Sequence, residues 1–196
     1  RVVKADADAG DLSAKRDYAM LRFFFATGKR REEIVRLQWG DLRWQREVIV
    51  ITAKHKGGIY SASEVRDPGV RTALVDYLRA SGRWSDAEQM PLLDEGEPLW
   101  LRHDNAVKGK EAVSSHGFAK AVKRYAERAG IANFHLHQTR HTVARMVGED
   151  SGSLAEVQAV LGHQNQATTR VYLQRVEVKR DRYSQSIGSR LETDEK

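Results

Sequence analysis

"ATGKRREEIVRLQWGDL", residues 26–42, holds the end of one helix, a turn, a second helix and the lead into a β-branched stretch. Gly28 closes the helix that precedes it, since a left-handed C-terminal residue costs glycine no Cβ clash. "REEIVRLQW" then buries Ile34 and Leu37 on one side and stops near Gly40 and Asp41. Upstream, Tyr18, Leu21, Phe24 and Phe25 fall at spacings of three and four and make one apolar stripe, with Asp11 or Ser13 as the cap. Downstream, "EVIVITA" is β-branched and alternating, "HKGG" is a turn and "IYSASEV" returns, so residues 47–65 read as a hairpin. Helices that feed a hairpin argue an α+β fold, mostly helical around a small antiparallel sheet.

The rest of the chain extends that reading. Pro68 opens a helix through about Ala80, with Val70, Leu74 and Tyr77 inward. "SDAEQMPLLDEGEP" is an acidic, solvated loop leading to a short strand, "PLWL". Ser114 or Ser115 caps a helix containing Phe118, Val122 and Tyr125, which Gly130 terminates. From His137 onward three short helical pieces follow, "QTRHTVARMVGE", "LAEVQAVLG" and "ATTRVYLQRV". Residues 1–11 show no periodicity and read as a linker remnant. Residues 12–176 form one domain, and residues 177–196 a charged tail.

The chain of 196 residues is long enough to bury a sizeable core. It opens at Arg1 without a methionine, as a fragment or processed piece would. It has no cysteine, which excludes a disulfide framework and a thiolate nucleophile and fits a reducing cytoplasm. The apolar runs "FFFA" and "VIVITA" are far below the roughly 20 residues of a membrane span, so a soluble protein is expected. The net charge of +6 suggests a polyanionic partner. Residues 51–100 alone are acidic, with 6 basic against 8 acidic side chains, so Asp86, Glu88, Asp94, Glu95 and Glu97 should point away from DNA. Lys108, Lys110, Lys120, Lys123, Arg124 and Arg128 form a candidate phosphate-facing surface.

Several groups could carry chemistry. Arg30 lies at a helix start, where a cation opposes the macrodipole unless an anion binds; pairing with Glu33 or plain exposure would also explain it. In "HLHQTRHTVARM", His137 and Arg140 are three apart and share a helix face, so two donors converge on one spot. His135, His137 and His141 could instead hold a metal, but no carboxylate stands at ligand spacing among them and no HExxH occurs. Lys54 sits at the hairpin tip, where a turn can swing an ammonium over a substrate. In "LGHQNQATTRVYL", residues 161–173, Tyr172 is packing or a nucleophile. Two guanidiniums, two imidazoles, a lysine and a phenol suit phosphoryl transfer, with arginines rather than a metal neutralising the equatorial oxygens.

On these segments the chain resembles the tyrosine recombinases, or phage integrases. "ATGKRREEIVRLQWGDL" is similar to the first motif, with Arg30 as its arginine. "HLHQTRHT" matches the HxxR element at His137 and Arg140. "LGHQNQATTRVYL" supplies His163 and the nucleophile Tyr172, and Lys54 matches the β-turn lysine. Two departures stand out. Lys29 occupies a position that is usually apolar, and with Arg31 next, spacing to Glu33 selects Arg30. Thr139 replaces the usual leucine, and HxxR spacing selects His137 over His135.

The resemblance implies that Tyr172 attacks a scissile phosphate of double-stranded DNA and forms a 3′-phosphotyrosine bond. His137 and His163 would handle its proton, since a phenol of pKa about 10 is mostly protonated at neutral pH. Arg30 and Arg140 would clamp nonbridging oxygens, and Lys54 would protonate the leaving 5′-oxygen. The covalent link conserves bond energy, so rejoining needs neither cofactor nor metal. It also implies a homotetramer on DNA, a clamp completed by an N-terminal core-binding domain absent here, and a cytoplasmic, non-membrane site of action. The tail would dock into a neighbouring protomer through Val178, Tyr183, Ile187 and Leu191. The rival readings are a type IB topoisomerase-like relaxing enzyme and a DNA-binding module without catalysis.

Overall fold

In the computed structural model, which describes residues 1–45, 47–54, 60–104, 109–161, 178–179 and 183–193, a long helix runs through the centre. Before it stands α1 (Val2–Asp8), so the stretch expected to be an aperiodic linker is helical. Val3 and Ala7 pack on Ala14, and two small apolar residues on an otherwise polar turn were too weak a pattern to show this. The central helix α2 (Leu12–Thr27) is capped by the Asp11 carboxylate, which accepts from the Ala14 N–H at 2.9 Å, and ends at Gly28 with φ 58°. Its deepest apolar residues are Ala14, Ala19, Met20, Phe23 and Phe24; Tyr18, Leu21 and Phe25 are half-buried. A helix with neighbours on several sides has no single apolar stripe, and its polar residues are then paired. Arg16 bonds Asp17, and Arg22 reaches Asp67 at 2.7 Å.

The second helix is shorter than expected. α3 (Arg31–Val35) buries Ile34, and Leu37 is buried just beyond it. The chain then leaves the helix for a 3₁₀ turn, Trp39–Asp41, because residues 37–40 pair with 95–99. Leu37 O accepts from Leu99 N–H at 2.9 Å, and Trp39 and Gly40 donate to Glu97 O and Glu95 O at 2.9 and 2.8 Å. A Cβ at Gly40 would stand 2.9 Å from Glu95 O, so this approach requires glycine. "PLWL" is therefore no strand of its own. It contributes isolated bridges, Gln38 to Pro98 and Leu101 to Ala112, around the fully buried Leu99 and Trp100.

β1 (Leu42–Trp44), β2 (Ile49–Lys54) and β3 (Tyr60–Val65) form an antiparallel meander, which contains the expected hairpin and one additional strand. α4 (Pro68–Ala80) follows with Pro68 in its first turn and Asp67 as cap, and Val70, Leu74 and Tyr77 fully buried. β4 (Trp84–Ser85) and β5 (Met90–Pro91) pair within the acidic stretch, where Asp86, Glu88, Asp94 and Glu95 are exposed. α5 (Ser115–Arg128) is capped by Ser114. α6 (His137–Ser151) and α7 (Leu154–Leu161) match the first two short helices expected near the C-terminus; the third lies outside the described residues.

β6 (Val178–Lys179) pairs with β3 in parallel, so the four-stranded sheet is mixed rather than antiparallel throughout. α8 (Ser184–Thr193) then packs on its own chain. Ile187, 1% exposed, joins Val143 and Val147 of α6, and Ser184 Oγ accepts from the Arg66 and Asp67 N–H groups at 3.2 and 3.0 Å. Part of the tail read as sparse thus completes a cluster over α6. Among the described residues no helix is long and apolar enough to cross a membrane.

Candidate active site

The turn at residues 27–30 gathers the site. Gly28 takes a left-handed conformation, and its carbonyl accepts from Arg140 Nη1 at 2.6 Å. Arg140 Nη2 donates to Leu161 O at 2.7 Å. The second arginine is therefore buried and pinned between the end of α2 and the end of α7, immediately before the segment that contains His163. Burial first, and the Arg30 guanidinium second, push Arg140 below the usual guanidinium range, while Glu33 opposes them. It stays charged, since guanidinium remains protonated in proteins.

Arg30 has a different character. It precedes α3, its side chain is half exposed, and Nη1 stands 3.1 Å from Glu33 Oε1. Glu33 Oε2 also accepts from the Arg30 N–H at 2.8 Å, which offsets placing a cation at the helix start. The pairing with Glu33 considered from sequence is thus present. Arg31 turns to Glu32 instead, at 3.5 Å. Glu32 in turn accepts from Ser115 Oγ and joins α3 to α5.

His137 opens α6, is exposed, and meets His141 edge-on at 4.9 Å. Thr139, at the position where leucine is usual, is buried with its hydroxyl satisfied by Leu136 O at 2.6 Å, so the departure leaves no orphaned polar group. His137, Arg30 and Arg140 line one cleft of about 1570 Å³, together with Lys29, His135, His116, Lys120 and Lys123. His116, Lys120 and Lys123 are spaced four and three apart on α5 and share a helix face; charge alone pointed to the two lysines, and the spacing adds His116. Arg128 is committed elsewhere, to Asp6 of α1. Lys54 is the last residue of β2, opposite Tyr60, which lines the cleft. Lys108, His163 and Tyr172 lie outside the described residues.

Two guanidiniums from separate elements, one fixed by carbonyls and one partly solvated, face the same cleft beside an imidazole. Such an arrangement can hold a tetrahedral or trigonal oxyanion from two sides while a third group exchanges protons. The fold recurs in site-specific recombinases. The XerH recombinase bound to palindromic difH substrate superimposes with a TM-score of 0.62 at 21% identity, over 78% of this chain and 40% of that one. XerA recombinase gives 0.60 at 21% identity, over 83% and 51%.

By sequence, tyrosine recombinase XerC of Xanthomonas axonopodis pv. citri is 30% identical over 173 residues, 88% of this chain and 50% of its own length. The protein of the same name from Herpetosiphon aurantiacus is 33% identical over 160 residues, 80% and 47%. The chain spans about half the length of these relatives. Residues 2–177 match the phage integrase family, which accounts for nearly every element that builds the cleft, and it is to this family that the chain belongs.

Proposed function

We propose that this chain is the catalytic domain of a tyrosine-type site-specific DNA recombinase or integrase, which cleaves and rejoins double-stranded DNA through a 3′-phosphotyrosine intermediate. The observation that carries the reading is the meeting of Arg30, His137 and Arg140 in one cleft from segments over 100 residues apart in sequence. Family membership supports the assignment of the remaining roles. Tyr172 Oη attacks the scissile phosphorus and its proton passes to His137 or His163. Arg30 and Arg140 hold the nonbridging oxygens, whose charge grows in the transition state. The 5′-oxygen leaves with a proton from Lys54. In the reverse direction a 5′-hydroxyl attacks the phosphotyrosine and releases Tyr172. We further propose that the protein works in the cytoplasm as a homotetramer on DNA, with an N-terminal core-binding domain closing the clamp.

Covalent capture tests this. The protein is incubated with a random-sequence library of nicked duplexes that lose a short fragment on cleavage, and adducts are recovered under denaturing conditions. A DNA adduct that disappears in Tyr172→Phe while binding persists is the expected result. Binding without any adduct would favour the non-catalytic module, and an adduct that persists in Tyr172→Phe would move the nucleophile elsewhere. Relaxation of supercoiled DNA without strand exchange would favour the topoisomerase-like reading.

A further inference from the structure

Lys29 stands between the left-handed Gly28 and Arg30, and only 6% of it is exposed. Lysine is almost never buried so fully without a partner that repays the lost hydration. Its Nζ lies 3.2 Å from Ser63 Oγ on β3, and its N–H donates to Thr27 Oγ1 at 3.3 Å. The side chain also borders the cleft. An apolar residue would fill this volume at lower cost, so the charge calls for a reason beyond packing.

Ser63 supplies that reason through its register. On one side it faces Ile51 of β2, the strand that ends three residues later at Lys54. On the other it faces Lys179 of β6, whose first residue follows Tyr172 by six positions. β3 therefore joins the strand leading to the lysine and the strand following the tyrosine, and the Lys29 ammonium ties that strand to the turn carrying Arg30. The same turn is bonded to Arg140 through Gly28 O and to Glu33 through Arg30 N–H.

We infer that Lys29 is a positioning residue for DNA cleavage: bonded to Ser63, it sets the β2–β3 hairpin, and with it Lys54, against Arg30. The inference rests on the proposed recombinase function. Its effect should fall on departure of the 5′-oxygen, the step assigned to Lys54, rather than on DNA affinity. A misplacement of about 1 Å at such a distance can cost a hundredfold in rate. Replacing the bridging 5′-oxygen with sulfur removes the need for the proton, because a thiol of pKa about 8.5 leaves readily as its anion.

The test compares the unsubstituted protein with Lys29→Met, Ser63→Ala and the double variant, all checked for folding by circular dichroism. Single-turnover adduct formation is measured at saturating DNA, using a duplex enriched by the covalent capture above, in 5′-oxygen and 5′-sulfur forms; affinity is titrated separately. Each single variant should react roughly tenfold or more slowly on the oxygen substrate, with affinity within about threefold. The double variant should be no slower than the slower single one, because the cycle isolates the Lys29–Ser63 pair from other contacts of the ammonium. Sulfur should restore rates to within about threefold of the unsubstituted protein. A full rate for Lys29→Met, additive deficits, or equal deficits on both substrates overturns the inference. Should Lys29→Met fail to fold, Ser63→Ala decides by the same rate, affinity and sulfur criteria. No adduct from the unsubstituted protein overturns the functional reading and this inference together, whereas normal rates in the variants overturn the inference alone.

Discussion

Gly188→Ala should release α8 from the body of the protein. A Cβ at this position would stand 2.6 Å from Asp67 Oδ1 and 2.7 Å from both Cγ and Oδ2, closer than any real contact. Asp67 cannot give way cheaply. Its Oδ2 accepts from Arg22 at 2.7 Å with both side chains buried, and its Oδ1 caps α4 through Gly69 N–H at 2.9 Å. Separating a buried ion pair costs about 3–5 kcal/mol. The alternative is for α8 to let go, which exposes Ile187 at about 2–3 kcal/mol and gives up the two hydrogen bonds to Ser184 for roughly 1 kcal/mol more. The cheaper route sets the cost, so the loss is about 3–4 kcal/mol, or a fall in Tm of roughly 6–16 °C for a chain of this size. Gly96→Ala, where an added Cβ meets nothing within 4 Å, is the control and should change stability by less than about 0.5 kcal/mol. Thermal unfolding gives the magnitude and hydrogen exchange gives the location: amides of residues 184–193 should lose protection while those of α2 keep it. If Gly188→Ala melts like the Gly96 control, or if α8 stays protected, the docking of α8 through Asp67 is refuted.

The two arginines should separate by assay. Arg30→Ala and Arg140→Ala should each abolish detectable adduct formation, at a cost of several kcal/mol in the transition state. Only Arg140→Ala should also lower stability, by about 2–4 kcal/mol, because it strands the Gly28 and Leu161 carbonyls; Arg30→Ala keeps its N–H bond to Glu33 and should cost under about 1 kcal/mol. Equal melting of the two variants would contradict this division. Stability should also fall in mild acid through His103. Burial first, then Arg16 and Arg83, push its imidazole down to about 4, and Tyr77 Oη, which accepts from Leu101 N–H, stands 3.1 Å from Nε2. The unfolded chain takes up the proton near its ordinary 6.5 and the folded one only near 4, so this contribution is complete above pH 6.5 and lost as pH falls toward 4, about 3 kcal/mol in all. His103→Gln should flatten the unfolding profile over that window; an unchanged slope would remove His103 as its cause.

Periodicity and capping chemistry made much of the fold legible. Pro68 fixed the start of α4, Ser114 that of α5, and the alternation in "EVIVITA" gave β2. Misreadings fell where tertiary pairing overrode local preference. Residues 37–39 continue a helical pattern, yet Leu37 O and Trp39 N–H bond to Leu99 and Glu97, partners that no local window contains. α1 is held by contacts of Val3 and Ala7 with Ala14, together with the Asp6–Arg128 pair across 122 residues. α8 has only two apolar side chains, Ile187 and Leu191, with a glycine between them, and its order depends on Asp67, Arg22 and Ser184, polar residues whose mutual contacts leave no periodic trace.

The candidate site shows the same division in its chemistry. Side chains that share a cleft or pair at a fixed short spacing, such as His137 with Arg140 or Arg30 with Glu33, announce themselves in sequence. Arg140 acts on the structure through the carbonyls of Gly28 and Leu161, and a carbonyl is present on every residue, so no residue type marks its partners. What the sequence does mark is the requirement on Gly28. Its positive φ brings that carbonyl to Arg140, and a Cβ there would stand 3.0 Å from Leu161 Cδ2 and 3.3 Å from Val143 Cγ1. One glycine thus serves both helix termination and arginine placement, so a substitution made to lengthen α2 would displace Arg140 as well. Lys29 completes this logic: a charged residue in an otherwise apolar slot of the motif is a polar contact that the turn, rather than the helix pattern, requires.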